Sequence, residues 1–151
     1  MMSETPTTVE PMPTQLHASC VAYRGQGVVI LGPSGSGKSA LALQLMGYGA
    51  NLVADDQTTL TASNGDLIAS CPPAIAGLIE ARGIGLLNTD YVAQICVKLV
   101  VDLDRVEEKR LPDMHSIELA GVTLTCLYKV KSPHFPPAIL HFLTYGRQIP
   151  E

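Results

Sequence analysis

The sequence predicts an α/β domain with a mixed, strand-rich sheet, and three observations carry that expectation. At 151 residues, with 46% hydrophobic and 16% charged side chains, the chain suits one domain with a sizeable core. Short apolar runs separated by turn residues recur along most of its length, as strands do. One such run enters a glycine-rich segment at residues 32–39 that leads into a helical pattern, which is a strand–loop–helix unit.

Residues 1–15 are rich in Thr, Pro and Glu with almost no large apolar side chain, and read as a disordered tail. Residues 16–23 read as a strand, 24–27 as a tight turn and 28–31 as a buried strand. A helix is expected over 40–48, with Leu41, Leu45 and Tyr48 on one face and Gly49 as its stop. Residues 51–54 form a short buried strand that runs into Asp55 and Asp56. The segments 58–61 and 67–70 flank Ser63-Asn64-Gly65, a hairpin signal, and Cys71-Pro72-Pro73 then breaks the chain. The glycine-laden stretch 75–88 reads as strand fragments joined by loop. Residues 95–103 form a strong strand, and 104–110 a loop or helical turn. A second hairpin is expected from 117–119 and 122–129 around Ala120-Gly121. Pro136-Pro137 opens a last helix over 138–145, ended by Gly146.

Composition excludes several classes. A net charge of −4 and a pI near 5.5 disfavour wrapping nucleic acid, which needs clustered Lys and Arg. The cysteines Cys20, Cys71, Cys96 and Cys126 lack CxxC spacing and have no histidine at ligand spacing. Free thiols in a reducing cytosol are therefore expected rather than a zinc site or disulfides. The apolar runs are too short to span a bilayer and no signal peptide is evident, so no membrane partner is expected.

The glycine-rich segment is Gly32, Pro33, Ser34, Gly35, Ser36, Gly37, Lys38 and Ser39, which fits G-x-x-x-x-G-K-[ST] at every fixed position. Glycines let the backbone curl so that its N–H groups face phosphate oxygens, and the helix that follows adds its positive end. Lys38 is expected to reach the terminal phosphates, and the Ser39 hydroxyl to sit on Mg²⁺. The expected ligand is a nucleoside triphosphate, ATP with Mg²⁺. Phosphoryl transfer also needs carboxylates near the phosphates. Two apolar runs end in acid, at Asp55-Asp56 and at Asp102-Leu103-Asp104. The first follows the loop by a single helix and has the better claim, with Asp56 as a proton acceptor.

Several separated residues together resemble one family. His17 precedes the loop, L-V-A-D-D follows at 52–56, and E-A-R-G-I-G-L-L-N at 80–88 matches an E-x-R-G-x-G-[IL]-[IL]-N signature. In order and spacing the chain resembles the catalytic domain of HPr kinase/phosphorylase over about residues 16–110. The resemblance implies the P-loop fold of the HPr kinase/PEP carboxykinase type. It also implies an ATP-dependent protein serine kinase acting on HPr, a cytoplasmic home and a homo-oligomer, typically a hexamer. It implies that Asp56 accepts the serine proton, that His17 stands beside it, that Ser39 and Glu80 hold Mg²⁺, and that Arg110 stabilises charge during transfer. The family's P-V-R-P-G-R-N loop corresponds to residues 129–136, which lack its arginines, so the kinase direction is implied more fully than dephosphorylation. The short stretch before His17 leads to the expectation of a minimal catalytic unit. The rival readings are a nucleotide-binding regulator without turnover and a small-molecule kinase.

Overall fold

The computed structural model describes residues 12–148, so most of the expected tail lies outside the described residues. Eleven strands and two helices follow in the order β1 (Thr14–Leu16), β2 (Ala18–Tyr23), β3 (Gln26–Leu31), α1 (Lys38–Gly47), β4 (Asn51–Ala54), β5 (Thr58–Ser63), β6 (Asp66–Ser70), β7 (Leu78–Ala81), β8 (Gly85–Asn88), β9 (Gln94–Val106), β10 (His115–Leu119), β11 (Val122–Lys129) and α2 (Phe135–Tyr145). Strand β1 begins at Thr14, two residues before the expected strand. The expected single strand over 16–23 is broken by a bend at His17, which sends β1 to pair with β5 while β2 pairs with β3 and β4.

Among the described residues nine strands form one mixed sheet, along the path β1-β5-β6-β9-β3-β2-β4, with β11 on β9 and β10 on β11. Its spine is β9. Residues Gln94 to Cys96 pair antiparallel with β6, Val97 to Asp102 run parallel to β3, and Leu99 to Val106 run parallel to β11. This explains why β9 has 13 residues and absorbs Asp104–Val106, which the sequence pattern assigns to a loop or turn. Ladder bonds to β11 outweigh the polar side chains, which stay exposed. Gly27 marks where β3 and β9 come closest, because a Cβ there would lie 2.7 Å from Ile95 Cγ2.

The two faces of this sheet divide the core. Val28 and Ile30 of β3 face α1 and α2, packing with Leu41, Leu45, Phe135 and Ile139. Val29, between them, faces the other way, with Leu60, Leu67 and Val100. Both faces are covered, so β3 reads as an unbroken apolar run rather than an alternating one. Helix α1 begins at Lys38, two residues before the expected start. Leu41 and Leu45 are buried as their spacing requires, but Tyr48 lies past the helix end and is exposed. Helix α2 takes Pro136 and Pro137 into its first turn, where proline needs no hydrogen bond, and Gly146 ends it. No helix among the described residues is long and apolar enough to cross a membrane.

Leu45 is wholly buried between the helices and the sheet. Leu45→Ala should lower unfolding stability by about 2–5 kcal/mol, the loss expected for a cavity at a rigid core site. Urea denaturation of the variant and the parent protein measures the difference.

Candidate functional site

The segment 32–37 leaves β3 and closes on itself through Ser36 N–H donating to the Pro33 carbonyl at 3.0 Å. Gly32 has φ +154, and a Cβ there would overlap the Ser36 hydroxyl and stand 3.2 Å from Leu103 Cβ, so the curl demands glycine. Gly35 and Gly37 border open space. Gly37 caps α1 without any side-chain hydrogen bond, which leaves the helix amides and their positive end to the concavity. Ser36 Oγ is buried with no hydrogen-bond partner among the described residues. A glycine-formed hollow, unused helix amides and an orphaned hydroxyl are what a polyphosphate satisfies. The buried Lys38 donates from Nζ to the carbonyls of Gly32 (2.8 Å) and Pro33 (3.1 Å), holding its ammonium at the rim of this hollow.

Beside the loop lies the first carboxylate of the Asp55-Asp56 pair. Asp55 is buried, and its Oδ1 accepts from Ser39 Oγ at 2.6 Å and from Ser19 Oγ at 2.8 Å. Its Oδ2 accepts the Glu80 backbone N–H at 3.0 Å. One side chain therefore ties the first turn of α1 to β2 and to β7. The strand ending in acid was a visible signal for it. Its partner Ser19 was not, because one serine in an apolar strand carries no spacing cue. The second acidic strand end serves differently: Asp102 accepts the Asp104 N–H at 2.9 Å and approaches Arg105 at 3.9 Å.

Asp56 points elsewhere. Its φ of +69 puts the backbone in the left-handed region, which Asp tolerates better than most residues. Its side chain turns outward to meet His17 Nε2 at 3.2 Å, with both side chains more than half exposed. Strand register explains the meeting. Leu16 pairs with Thr58 and Cys20 with Ala54, so the bend at His17 stands opposite the turn that carries Asp56. Ala18 pairs with Leu31, which sets the same bend at the entrance to the phosphate loop.

The signature 80–88 folds as the antiparallel hairpin of β7 and β8, with Arg82 exposed in its turn. Glu80 is exposed while its own amide holds Asp55, which brings it close to Ser39. Cys71 borders the same cluster; burial pushes its thiol up, and the Asp55 charge pushes it further. Arg110 lies in the segment between β9 and β10. It is exposed, is in no ion pair among the described residues, and has no hydrogen bond to His17, Lys38 or Asp56. Its segment leaves the sheet at the loop end, since β9 runs parallel to β3 with Asp102 beside Leu31. A clasp cinches that segment: Glu107 pairs with His115 Nε2 at 2.8 Å and accepts the amides of Glu108 and Lys109. His115 in turn stacks on Tyr128 at 3.9 Å. Burial works to raise the Glu107 carboxyl, but these hydrogen bonds outweigh it and hold it below its ordinary range.

Among the described residues no three His, Cys, Asp or Glu side chains form a ready-made metal cage. A hydroxyl at Ser39 with an exposed carboxylate at Glu80 suits a cation that takes few protein ligands and completes its shell with phosphate and water, as Mg²⁺ does.

A curled glycine loop leading into a helix, a hydroxyl tied to a buried carboxylate and an open Asp–His pair define a P-loop domain. The family model described as the HPr serine kinase C-terminal domain matches residues 11–125, and the chain belongs to that family. HPr kinase/phosphorylase 1 of Oceanobacillus iheyensis is 34% identical over 133 residues, covering 83% of this chain and 41% of that protein. HPr kinase/phosphorylase of Cupriavidus necator is 36% identical over 121 residues, 72% of this chain and 38% of that protein. The chain thus spans about two fifths of the length of these relatives. The solved structure of the Hpr(Ser) kinase/phosphatase from Coxiella burnetii superposes with a TM-score of 0.73 at 26% identity, covering 87% of this chain and 94% of that one. The strand-rich α/β fold of this family is therefore the fold of the chain.

Two outcomes follow for the cluster and the clasp. Asp55→Ala strands two hydroxyls and one amide, and should cost at least about 1–3 kcal/mol in thermal or urea unfolding. The clasp should show in acid. A carboxyl held low stabilises the fold fully above its unfolded pKa, near 4.3, and loses that contribution as pH falls through its lower folded value. Glu107→Gln should therefore flatten the decline of the urea midpoint below about pH 4.3.

Proposed function

We propose that the chain is an ATP-dependent protein serine kinase whose substrate is the phosphocarrier protein HPr. The observation that carries this reading is the His17–Asp56 pair at 3.2 Å, open to solvent and set by strand register at the mouth of a phosphate-cradling loop. A nucleotide sensor has no use for an accessible carboxylate beside its terminal-phosphate site, whereas transfer to a hydroxyl needs one. The printed names of the relatives point to the same substrate.

The residues divide the work. The loop amides and the end of α1 hold the phosphates of ATP, and Lys38 gives up its two carbonyl contacts to follow the transferred group. Ser39 and Glu80 would hold Mg²⁺, which would supply positive charge against the phosphates. Asp56 takes the proton of the attacking serine hydroxyl, and His17 fixes the carboxylate and steadies it once protonated. In the reverse direction the same carboxyl returns the proton, so dephosphorylation is open to this geometry as well. Arg110 serves by swinging in from its exposed segment to meet developing negative charge. The protein works in the cytoplasm as a homo-oligomer, a hexamer by family likeness. Exposed Ile84 and Leu86 on the β7–β8 hairpin supply apolar surface for a neighbouring subunit.

Incubation with labelled ATP and HPr tests the reading. Asp56→Asn should keep nucleotide binding and cut transfer to the HPr serine by about 10²–10⁴. An unimpaired rate removes Asp56 from the role of base, and no label on HPr with the parent protein removes HPr as substrate.

A further inference from the structure

A cavity of about 160 Å³ lies away from the phosphate loop, between α2, β11 and the segment that carries Arg110. Its body is apolar, with Cys126, Val130, Ile139 and Phe142 among its walls and Met114 at its rim. An apolar cavity of about 150 Å³ accepts a benzene ring. One polar feature is out of keeping with this lining. Arg147, in the turn after α2, contributes to the wall, and its Nε is buried with no hydrogen-bond acceptor among the described residues.

Pairing shows what that nitrogen lacks. The two acids beside the cavity already have partners of their own: Glu107 pairs with His115 at 2.8 Å and Asp113 with Lys109 at 2.9 Å. Arg147 is the arginine on the cavity wall, and although its charge helps to hold the Asp113 carboxyl low, it is within ion-pair distance of no acid among the described residues. A buried guanidinium donor without an acceptor is costly, and a carboxylate is the acceptor that fits it best. We propose that this cavity binds a small apolar monocarboxylate, with its ring or short chain against Ile139 and Phe142 and its carboxylate on Arg147. Glu107, Pro112, Asp113 and His115 line the same space. An occupant therefore braces both ends of the segment that bears Arg110, and the seat acts on the catalytic end of the sheet from outside it.

Benzoate is the probe, with benzyl alcohol as its neutral counterpart, and the readout is the NMR shift of the Met114 methyl and Phe142 ring signals in the full chain. Benzoate should bind saturably with a Kd of roughly 1 mM or tighter, within the range for so few heavy atoms. Benzyl alcohol should bind at least about 10-fold more weakly, since it forgoes the charge-assisted bond. Arg147→Gln should weaken benzoate about 10-fold through loss of the same bond. Ala138→Leu fills the cavity from an exposed helix position and should abolish binding while leaving the circular dichroism spectrum unchanged. Benzoate should also slow hydrogen exchange of the Glu108 to Asp113 amides. Any of four results overturns the proposal: no saturable shift, equal affinity for the alcohol, indifference to both substitutions, or exchange in the Arg110 segment that benzoate leaves unchanged. No binding because residues after Gln148 or a second copy of the chain fill the cavity counts as the first of these.

Discussion

The buried carboxylate of Asp55 is the constraint on which the site depends. Desolvating a carboxylate is expensive unless its oxygens are fully engaged, and here three donors from three separate elements converge on it. Those donors lie in the first turn of α1, near the start of β2 and towards the end of β7. Each element is held to the others at this point by directional bonds rather than by packing alone. The phosphate loop is therefore anchored at both ends, by β3 in the sheet and by Ser39 on Asp55.

Two adjacent acids at the end of β4 have opposite surroundings, and the left-handed backbone at Asp56 separates them. Asp55 follows the strand directly and is buried, where it accepts three hydrogen bonds and serves as an anchor. Asp56 turns away, half exposed, with one histidine for company. An anchor buried among three donors is out of a substrate's reach, while an exposed carboxylate on an unsupported loop lacks fixed geometry. Placing the exposed acid one residue beyond the anchored one gives it accessibility and a fixed position together.

What was legible in the sequence follows the range of the forces involved. The loop at 32–39, the helix behind it and the acidic end of β4 were readable because each depends on neighbours within a few residues. The pairing of His17 with Asp56 came from family likeness; the residues alone gave no cue, since it depends on the registers of β2 against β3 and β4 and of β1 against β5. Ser19 was hidden for the same reason. The hairpin at 78–88 was obscured by Gly77, Gly83 and Gly85, which erase the alternation that marks a strand. The length of β9 was underestimated because partners on either side supply the ladder bonds that polar side chains argue against. The charged stretch 104–110 read as a loop or helical turn, and only the fold shows Glu107 clasping His115 across the base of a segment.

The position of β9 also sets the order of events during synthesis. Strand β3 carries the phosphate loop and can zip at once with its sequence neighbour β2. Its other edge waits for Val97, which pairs with Gly27 from 70 positions further along (97 − 27). At about 5–20 residues per second, a ribosome takes roughly 4–14 s to deliver that partner. For that interval the strand made of Val28, Val29, Ile30 and Leu31 presents an open hydrogen-bonding edge and bare aliphatic surface. Nascent chains are thus most vulnerable to mispairing before β9 emerges, and a holdase that shields such an edge meets its strongest need there.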